Sequence, residues 1–143
     1  MLGEFGNELV TLSLPAVPPH QMVTVTFDLI VMNGWDGEGP MGPSTFGFFD
    51  EAEGSLLLTT FSNTTSSQSY PGPYPSNNAP MSGSAENNTM YYPFGDSVYH
   101  LGFSYPHSDS DLMLHFYAQG LSGLMGEAWA IDNVNVVVGP ANP

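Results

Sequence analysis

The stretch VTVTFDLIV, residues 23–31, alternates apolar side chains with mostly polar ones. Successive side chains of an extended strand point to opposite faces, so the odd-numbered residues of this stretch, all apolar, share one face. The other face carries Thr24, Thr26, Asp28 and Ile30. A period of two is typical of a half-buried β-strand, and it predicts a chain built from sheets.

Six further runs share this β-type composition, being rich in Val, Leu, Phe, Tyr and Thr. Turn sequences such as PAVPPHQ and PHSDSD separate them, and no segment combines helix caps with helical apolar spacing. We therefore predict an all-β fold, a two-sheet antiparallel β-sandwich of jelly-roll or immunoglobulin-like type with about seven to nine strands. The runs are residues 8–14, 45–49, 55–61, 97–105, 111–118 and 129–138.

The length of 143 residues suits one domain of ordinary size, and the chain shows no internal repeat. Residues 62–93 are rich in Ser, Asn, Pro, Gly and Tyr and are too long for a hairpin loop. We predict a single β-sandwich domain over residues 1–143, with residues 62–93 as one long loop inserted between strands.

The charge is entirely acidic: fourteen Asp and Glu residues, no Lys or Arg, and a formal net charge of −14. Nucleic acids and anionic membrane surfaces are bound through Lys and Arg, so we predict that neither is a partner. The chain has no Cys, which excludes disulfides, thiolate metal sites and a cysteine nucleophile.

The sequence offers only weak evidence for a catalytic site. GDSV, residues 95–98, matches the block around the nucleophile of GDS-type esterases. In those enzymes the serine lies between a strand and a helix, whereas Ser97 opens a predicted strand. The four His residues have no metal-binding spacing. We predict that the chain is not an enzyme.

Calcium is the cofactor that the acidic residues favour, because it binds carboxylate, amide and backbone oxygens without a regular motif. One candidate group lies in the glycine-rich NGWDGEG, residues 33–39, and another in GEAWAIDN, residues 126–133. With no basic residue to pair with a buried carboxylate, a structural calcium ion would supply the missing charge. The predicted ligands are Asp28, Asp36, Glu38, Glu127, Asp132 and Asn133.

Two N-x-T sequons, at Asn63 and Asn87, lie in polar loops. Such sequons are glycosylation candidates, and they indicate an extracellular or cell-surface location.

Edge strands of natural sheets are normally blunted by Lys, which this chain lacks. An edge without such protection is either covered by other parts of the chain or pairs with a strand of another chain. We therefore predict a non-catalytic extracellular subunit of a filament or surface layer. Its partners are copies of itself, joined by strand addition. The donated strand is FGNELVTLSL, residues 5–14, or NVNVVV, residues 133–138. The assembly residues of the first are Leu9, Val10, Leu12 and Leu14.

The alternative function is a calcium-dependent, lectin-like module that binds carbohydrate, with a polysaccharide as partner. Aromatic faces near Asn and Asp side chains are suited to stacking on sugar rings. The candidate stacking residues are Trp35, Tyr70, Tyr74, Tyr91 and Tyr92.

A series of short motifs along nearly the whole chain resembles a family of uncharacterised bacterial secreted β-sandwich modules, similar in build to calcium-bearing jelly-roll carbohydrate-binding modules. The resemblance implies that Trp129 packs in the core and that Asp132 helps to hold a structural ion. It also implies an acidic residue at position 44, where this chain has Ser44, and it implies basic residues, whereas this chain has no Lys or Arg. The motifs are FGN (5–7), FDL (27–29), WDG (35–37), GPSTF (42–46), TFSN (60–63), QSYPG (68–72), GDSVYHLGFSYPHS (95–108) and EAWAIDNV (127–134).

Overall fold

The structure, a computed structural model, describes residues 1–122 and 126–140, and within these ranges it contains nine β-strands and no helix. No membrane-spanning helix is therefore found in the described part of the chain. The predicted all-β class is confirmed. The strands are Leu2–Phe5 (β1), Leu9–Leu14 (β2), Met22–Met32 (β3), Thr45–Asp50 (β4), Gly54–Thr60 (β5), Glu86–Asn87 (β6), Asp96–Pro106 (β7), Leu112–Gln119 (β8) and Ala128–Gly139 (β9).

The strands form two antiparallel sheets, one with the order β1-β9-β3-β7-β6 and the other with the order β2-β8-β4-β5. The predicted two-sheet antiparallel sandwich is confirmed. Every predicted run forms a strand whose ends lie within one residue of the prediction. The sequence did not reveal β1 and β6, which have four residues and two residues. β6 pairs with β7 only at Ser97 and Val98.

β3 lies at the centre of the five-stranded sheet, between β7 and β9. Its odd-numbered residues are all buried against the other sheet, as their alternation predicts. The ring of Phe27 meets those of Phe48 and Phe116 edge-on, with centroids 5.2 and 5.1 Å away. Burial of each such side chain contributes about 1.5–3 kcal/mol, and the aromatic contacts add to it. Trp129 is also fully buried, in the core position that the resemblance implies.

A β-bulge interrupts β9. Thr26 pairs with Asn135 and Asp28 with Asp132, so Asn133 and Val134 together stand opposite Phe27. Asn133 takes a left-handed backbone conformation with φ of 52°, which Asn tolerates better than most residues. The extra residue changes which side chains face inward: Trp129 and Ile131 before the bulge, and Val136 and Val138 after it.

The long loop is organised around the buried Gln68 side chain. Gln68 Oε1 accepts hydrogen bonds from the backbone N–H groups of Ser62 and Met81, and its amide nitrogen donates to the carbonyls of Tyr70 and Ser82. One buried amide thus satisfies four backbone groups that have no sheet partner there.

The same loop covers part of the outer edge of β5. The Tyr74 and Tyr70 N–H groups donate to the carbonyls of Leu58 and Thr60, at 2.9 and 3.2 Å. Prolines at 71, 73 and 75 have no N–H, so this covering segment cannot itself be extended as a regular ladder.

We expect Gly120→Ala to lower the free energy of unfolding by about 1–3 kcal/mol, measured by chemical denaturation. Gly120 follows β8 with φ of 74°, and an added Cβ would lie 2.0 Å from the Pro43 carbonyl oxygen. Gly139→Ala is the control, because nothing lies within 4 Å of its added Cβ. Equal stability of the two variants would contradict the close approach of these segments.

Candidate functional site

Asp36 lies in the loop after β3, and its carboxylate is held entirely by neutral donors. Thr64 and Ser66 hydroxyls donate to its Oδ1 at 2.7 and 2.8 Å, and the Met41 N–H donates to its Oδ2 at 2.9 Å. Burial opposes ionisation of Asp36, but the hydrogen bonds from Thr64, Met41 and Ser66 outweigh it, so its pKa lies below the ordinary value. The loop therefore stabilises a negative charge without a cation.

Glu127 lies just before β9 and faces the same loop end. The Ser44 hydroxyl donates to its Oε1 at 3.3 Å and accepts the Asp36 N–H at 3.2 Å, so Ser44 stands between the two acids. The Ser122 N–H donates to the other carboxylate oxygen. Burial raises the pKa of Glu127; hydrogen bonds from Ser122 and Ser44 offset this only in part, and the charge of Asp36 adds to the rise.

Glu38 completes this end of the sandwich. Its Oε1 accepts hydrogen bonds from the hydroxyls of Thr60, at 3.2 Å, and Ser69. Asp36, Glu38 and Glu127 thus lie in one region rich in hydroxyls. Among the described residues, however, no three His, Asp or Glu side chains come close enough together to form a ready metal site.

The other predicted ligands lie elsewhere, on the outer face of the five-stranded sheet. Asp28 accepts hydrogen bonds from Asn133 Nδ2 at 2.7 Å and from the His100 ring at 2.5 Å, and it pairs with Asp132 across the sheet. Burial opposes ionisation of Asp28, and the bonds from Asn133 and His100 more than compensate, so its pKa lies below the ordinary value. Glu127 is separated from this group by about 16 Å of extended strand.

Calcium stays a prediction, and the Asp36–Glu127 region suits it better than Asp28 does. Carboxylate and hydroxyl oxygens are ligands that calcium accepts, and Asp36, Ser44 and Glu127 would hold the ion. The ion would supply positive charge between two carboxylates that now lack it. Asp28 already has His100 as a partner that can carry a positive charge.

The predicted glycan-stacking residues do not form one platform. The prediction for Trp35 is wrong, because its side chain is 0% exposed and its ring N–H donates to the Ala128 carbonyl inside the fold. Tyr70 packs on Phe61. The exposed Tyr74 lies beside β5 of one sheet, whereas the Tyr92 hydroxyl donates to Glu4 beside β1 of the other. Tyr91, next to Tyr92, is 91% exposed.

The first sequon has a structural role. Asn63 Nδ2 donates to the carbonyls of Val31 and Asn33 at 3.0 and 2.9 Å, so attachment of a glycan, which replaces one of the two amide hydrogens, would break at least one of these bonds. Ser97 is buried, and its hydroxyl donates to Asn63 Oδ1 at 2.7 Å. Asn87, in β6, is exposed and remains the accessible glycosylation candidate.

The predicted assembly residues form a wall of a groove. Leu9–Leu14 is β2, which pairs with β8 of the same chain. Leu9 points to solvent, whereas Val10, Leu12 and Leu14 are half-buried. Between β2 and β9 lies an apolar groove of about 410 Å³, lined chiefly by these three residues with Leu2, Val134 and Val136.

No known protein family, curated protein or solved structure matches this chain. The resemblance to secreted sandwich modules therefore stays a prediction.

Sequence reasoning missed a buried polar chain at the opposite end of the sandwich. His20 bonds to the Pro18 carbonyl and to His107, at 2.7 Å each, and His107 Nε2 lies 3.7 Å from Asp50 Oδ2. Tyr105 donates to the same Asp50 oxygen at 2.7 Å. Both histidines follow prolines just outside β3 and β7, so the pairing of those strands was the signal needed to bring them together.

We expect Glu127→Gln to raise the melting temperature at neutral pH in EDTA. Because the folded-state pKa of Glu127 is raised, its stabilising contribution is present in acid and is lost as the pH rises through that pKa. Removing the buried charge therefore helps most at neutral pH. Glu86→Gln, which makes the same charge change at an exposed site, is the control. A lower melting temperature for Glu127→Gln would show that its charge is compensated.

We expect Ser44→Asp to create a calcium site whose third carboxylate stands between Asp36 and Glu127. Its melting temperature should fall below that of the unmodified chain in EDTA, because three carboxylates then repel one another. It should rise on calcium addition, by an amount equivalent to about 2.7 kcal/mol at 100 times the dissociation constant. Ser104→Asp on the exposed face of β7 is the control. Failure of calcium to restore Ser44→Asp would remove this region as a calcium site.

Proposed function

We propose that the domain is a non-catalytic structural subunit, extracellular or on a cell surface, whose copies join by strand pairing at the groove between β2 and β9. The observation that carries this proposal is that two unpaired strand edges border one apolar groove.

The first edge belongs to β9. β1 pairs with β9 only from Leu2 opposite Ile131 to Phe5 opposite Trp129. From Asp132 to Gly139, the described residues pair with β3 on one side and have no strand on the other. The backbone N–H and C=O groups on that open side are available to an added strand.

The second edge belongs to β2, the last strand of its sheet. An extended segment lying in the groove would pair with backbone and bury alternate side chains against Val10, Leu12 and Val136. Each large apolar side chain so buried contributes about 1.5–3 kcal/mol before the ordering cost of association.

The distribution of charge favours the groove side of the domain for contact between two copies of the chain. Two subunits of net charge −14 repel each other, but β2 and residues 133–139 contain no charged side chain. The nearest acids in the sequence, Glu8 and Asp132, stand at the ends of these segments. Repulsion between exposed charges is screened beyond about 8–10 Å at moderate salt, so a neutral edge is where a second copy approaches most easily.

The arrangement revises the proposed donor strand. Of residues 5–14, Phe5 lies in β1 and residues 9–14 form β2, and both strands pair within their own chain, so this segment forms a wall of the groove and is not free for a neighbour. Residues 133–138 are likewise fixed to β3 and present the open edge. The contact we propose adds a strand to this edge without exchange of termini.

Calcium-dependent carbohydrate binding remains the second hypothesis. With Trp35 buried, it depends on the exposed Tyr74 and Tyr91, which flank different sheets, and no observed feature favours it over assembly.

We expect Val134→Glu to weaken self-association at least about tenfold, measured by light scattering and sedimentation over a concentration series with calcium present. Val134 lines the groove, so a negative charge there would lie in the contact and would repel the second copy, which is also negatively charged. Leu58→Glu is a matched control: the two side chains are 39% and 38% exposed, and Leu58 lies on the opposite edge strand, where the long loop packs.

The control should associate like the unmodified chain, and circular dichroism should show that all three proteins fold alike. A chain that stays monomeric at high concentration, or equal weakening by both substitutions, would defeat the proposal.

A further inference from the structure

We propose that His107 carries a second proton in the folded chain and that this buried imidazolium is the counter-charge of Asp50, forming a pH-sensitive clasp at one end of the sandwich. The clasp consists of His20, His107, Asp50 and Tyr105. It lies apart from the groove and does not depend on the proposed assembly.

The direction of the hydrogen bonds follows from the first partner. The Pro18 carbonyl can only accept, so His20 Nδ1 carries a proton and donates to it at 2.7 Å. We assign the neutral ring to His20, whose Nε2 then accepts a hydrogen bond from His107 Nδ1–H at 2.7 Å, because His107 is the ring that contacts the Asp50 carboxylate and the second proton is better placed there. The rings stack with centroids 5.0 Å apart, an arrangement that suits one charge shared by the pair better than two.

The remaining nitrogen decides the protonation state. With Nδ1 protonated, a neutral His107 would direct an Nε2 lone pair toward the Asp50 carboxylate, whose Oδ2 is 3.7 Å away. The His107 side chain is 0% exposed, and Nε2 has no hydrogen-bond partner within the described residues. A buried lone pair facing a carboxylate oxygen is unfavourable, whereas a second proton on Nε2 converts the same contact into attraction.

Asp50 has the surroundings of an ionised carboxylate. Its Oδ1 accepts the N–H groups of Ala52 and Glu53, and its Oδ2 accepts the Tyr105 hydroxyl. All three groups are donors, which favours the charged form. Burial raises the pKa of Tyr105, and its hydrogen bond to Asp50 and the charges of Asp50 and Glu53 raise it further, so this hydroxyl keeps its proton.

A buried carboxylate in this chain has no Lys or Arg to neutralise it, since the sequence contains neither. Asp50 is only 1% exposed, and its ion-pair contact in the described structure is with His107. The charged group in contact with His107 in the described structure is Asp50 from β4, and the charge of Glu53, in the turn after β4, acts on the neighbouring Tyr105. Both are negative, so the surroundings favour a proton on the ring.

The clasp ties three segments together: the β2–β3 connection through Pro18 and His20, the end of β7 through His107, and the end of β4 through Asp50. The contact between His107 and Asp50 is attractive only while the His107 ring carries its second proton. The stabilisation is therefore present in acid and is lost as the pH rises and the proton leaves.

The direct test is the ring nitrogen spectrum of the full chain, followed by NMR as the pH is raised. His100 serves as an internal reference, because it also contacts an aspartate but its side chain is 64% exposed. We expect His107 to keep both ring protons at a pH where His100 has lost one. A His107 ring that is neutral wherever His100 is neutral would overturn the proposal.

The second test uses Asp50→Asn, whose amide keeps the shape of the carboxylate and can donate to a neutral His107. Unfolding free energies are compared between about pH 5 and pH 8, the range in which histidine charge changes. Stability of the unmodified chain should fall more steeply with rising pH than that of Asp50→Asn, and His100→Gln should retain the steep fall. Equal slopes for Asp50→Asn and the unmodified chain would refute the clasp even if both fold well.

Discussion

The structure depends on one constraint: carboxylates inside the fold must be satisfied without Lys or Arg. The backbone and the hydroxyl groups perform this task. Asp36 is held by Thr64, Ser66 and a backbone N–H, and Asp96 by the N–H groups of Met90 and Tyr92. Charged carboxylates accept such bonds strongly, so a chain rich in Ser and Thr can hold acids that other proteins pair with bases. The polar long loop is thus part of the interior chemistry of the fold, since it supplies most of these donors.

Alternation located β3, and β-type composition between turn sequences located six more of the nine described strands. β1 and β6 are too short to show a period. The candidate site was harder to predict because it depends on register. Glu127, just before β9, and Asp132, within β9, are five positions apart and were grouped by proximity in sequence, but they have different partners in the fold. Trp35 follows a strand in a polar loop, and only the packing of that loop shows that its ring is in the core. Likewise, His20 and His107 are 87 positions apart, and nothing in the sequence joins them.

The two ends of the sandwich handle buried charge differently. At the end with Asp36 and Glu127, two acids share a region of hydroxyls, and burial together with the charge of Asp36 raises the pKa of Glu127. At the other end, Asp50 has a histidine and a tyrosine beside it. The carboxylates of Asp36 and Glu127 have no positively charged partner among the described residues, so a cation could neutralise them. Asp50 instead lies beside a histidine that can carry the positive charge. Calcium and protons would therefore act on opposite ends of the same domain.

The position of the open edges sets the symmetry of any assembly. If the groove of one copy receives the same groove of another, the contact is two-fold and closes after two subunits. A filament needs a contact between two different surfaces, repeated without closure. In the five-stranded sheet, β6 pairs with β7 at Ser97 and Val98 and the Asn88 N–H donates to the Asp96 carbonyl, so within the described part of the chain residues 99–106 of β7 have no strand partner at the edge opposite β9. Head-to-tail pairing of β9 with β7 would join sheets into one continuous ribbon, and the choice between these pairings decides between a dimer and a fibre.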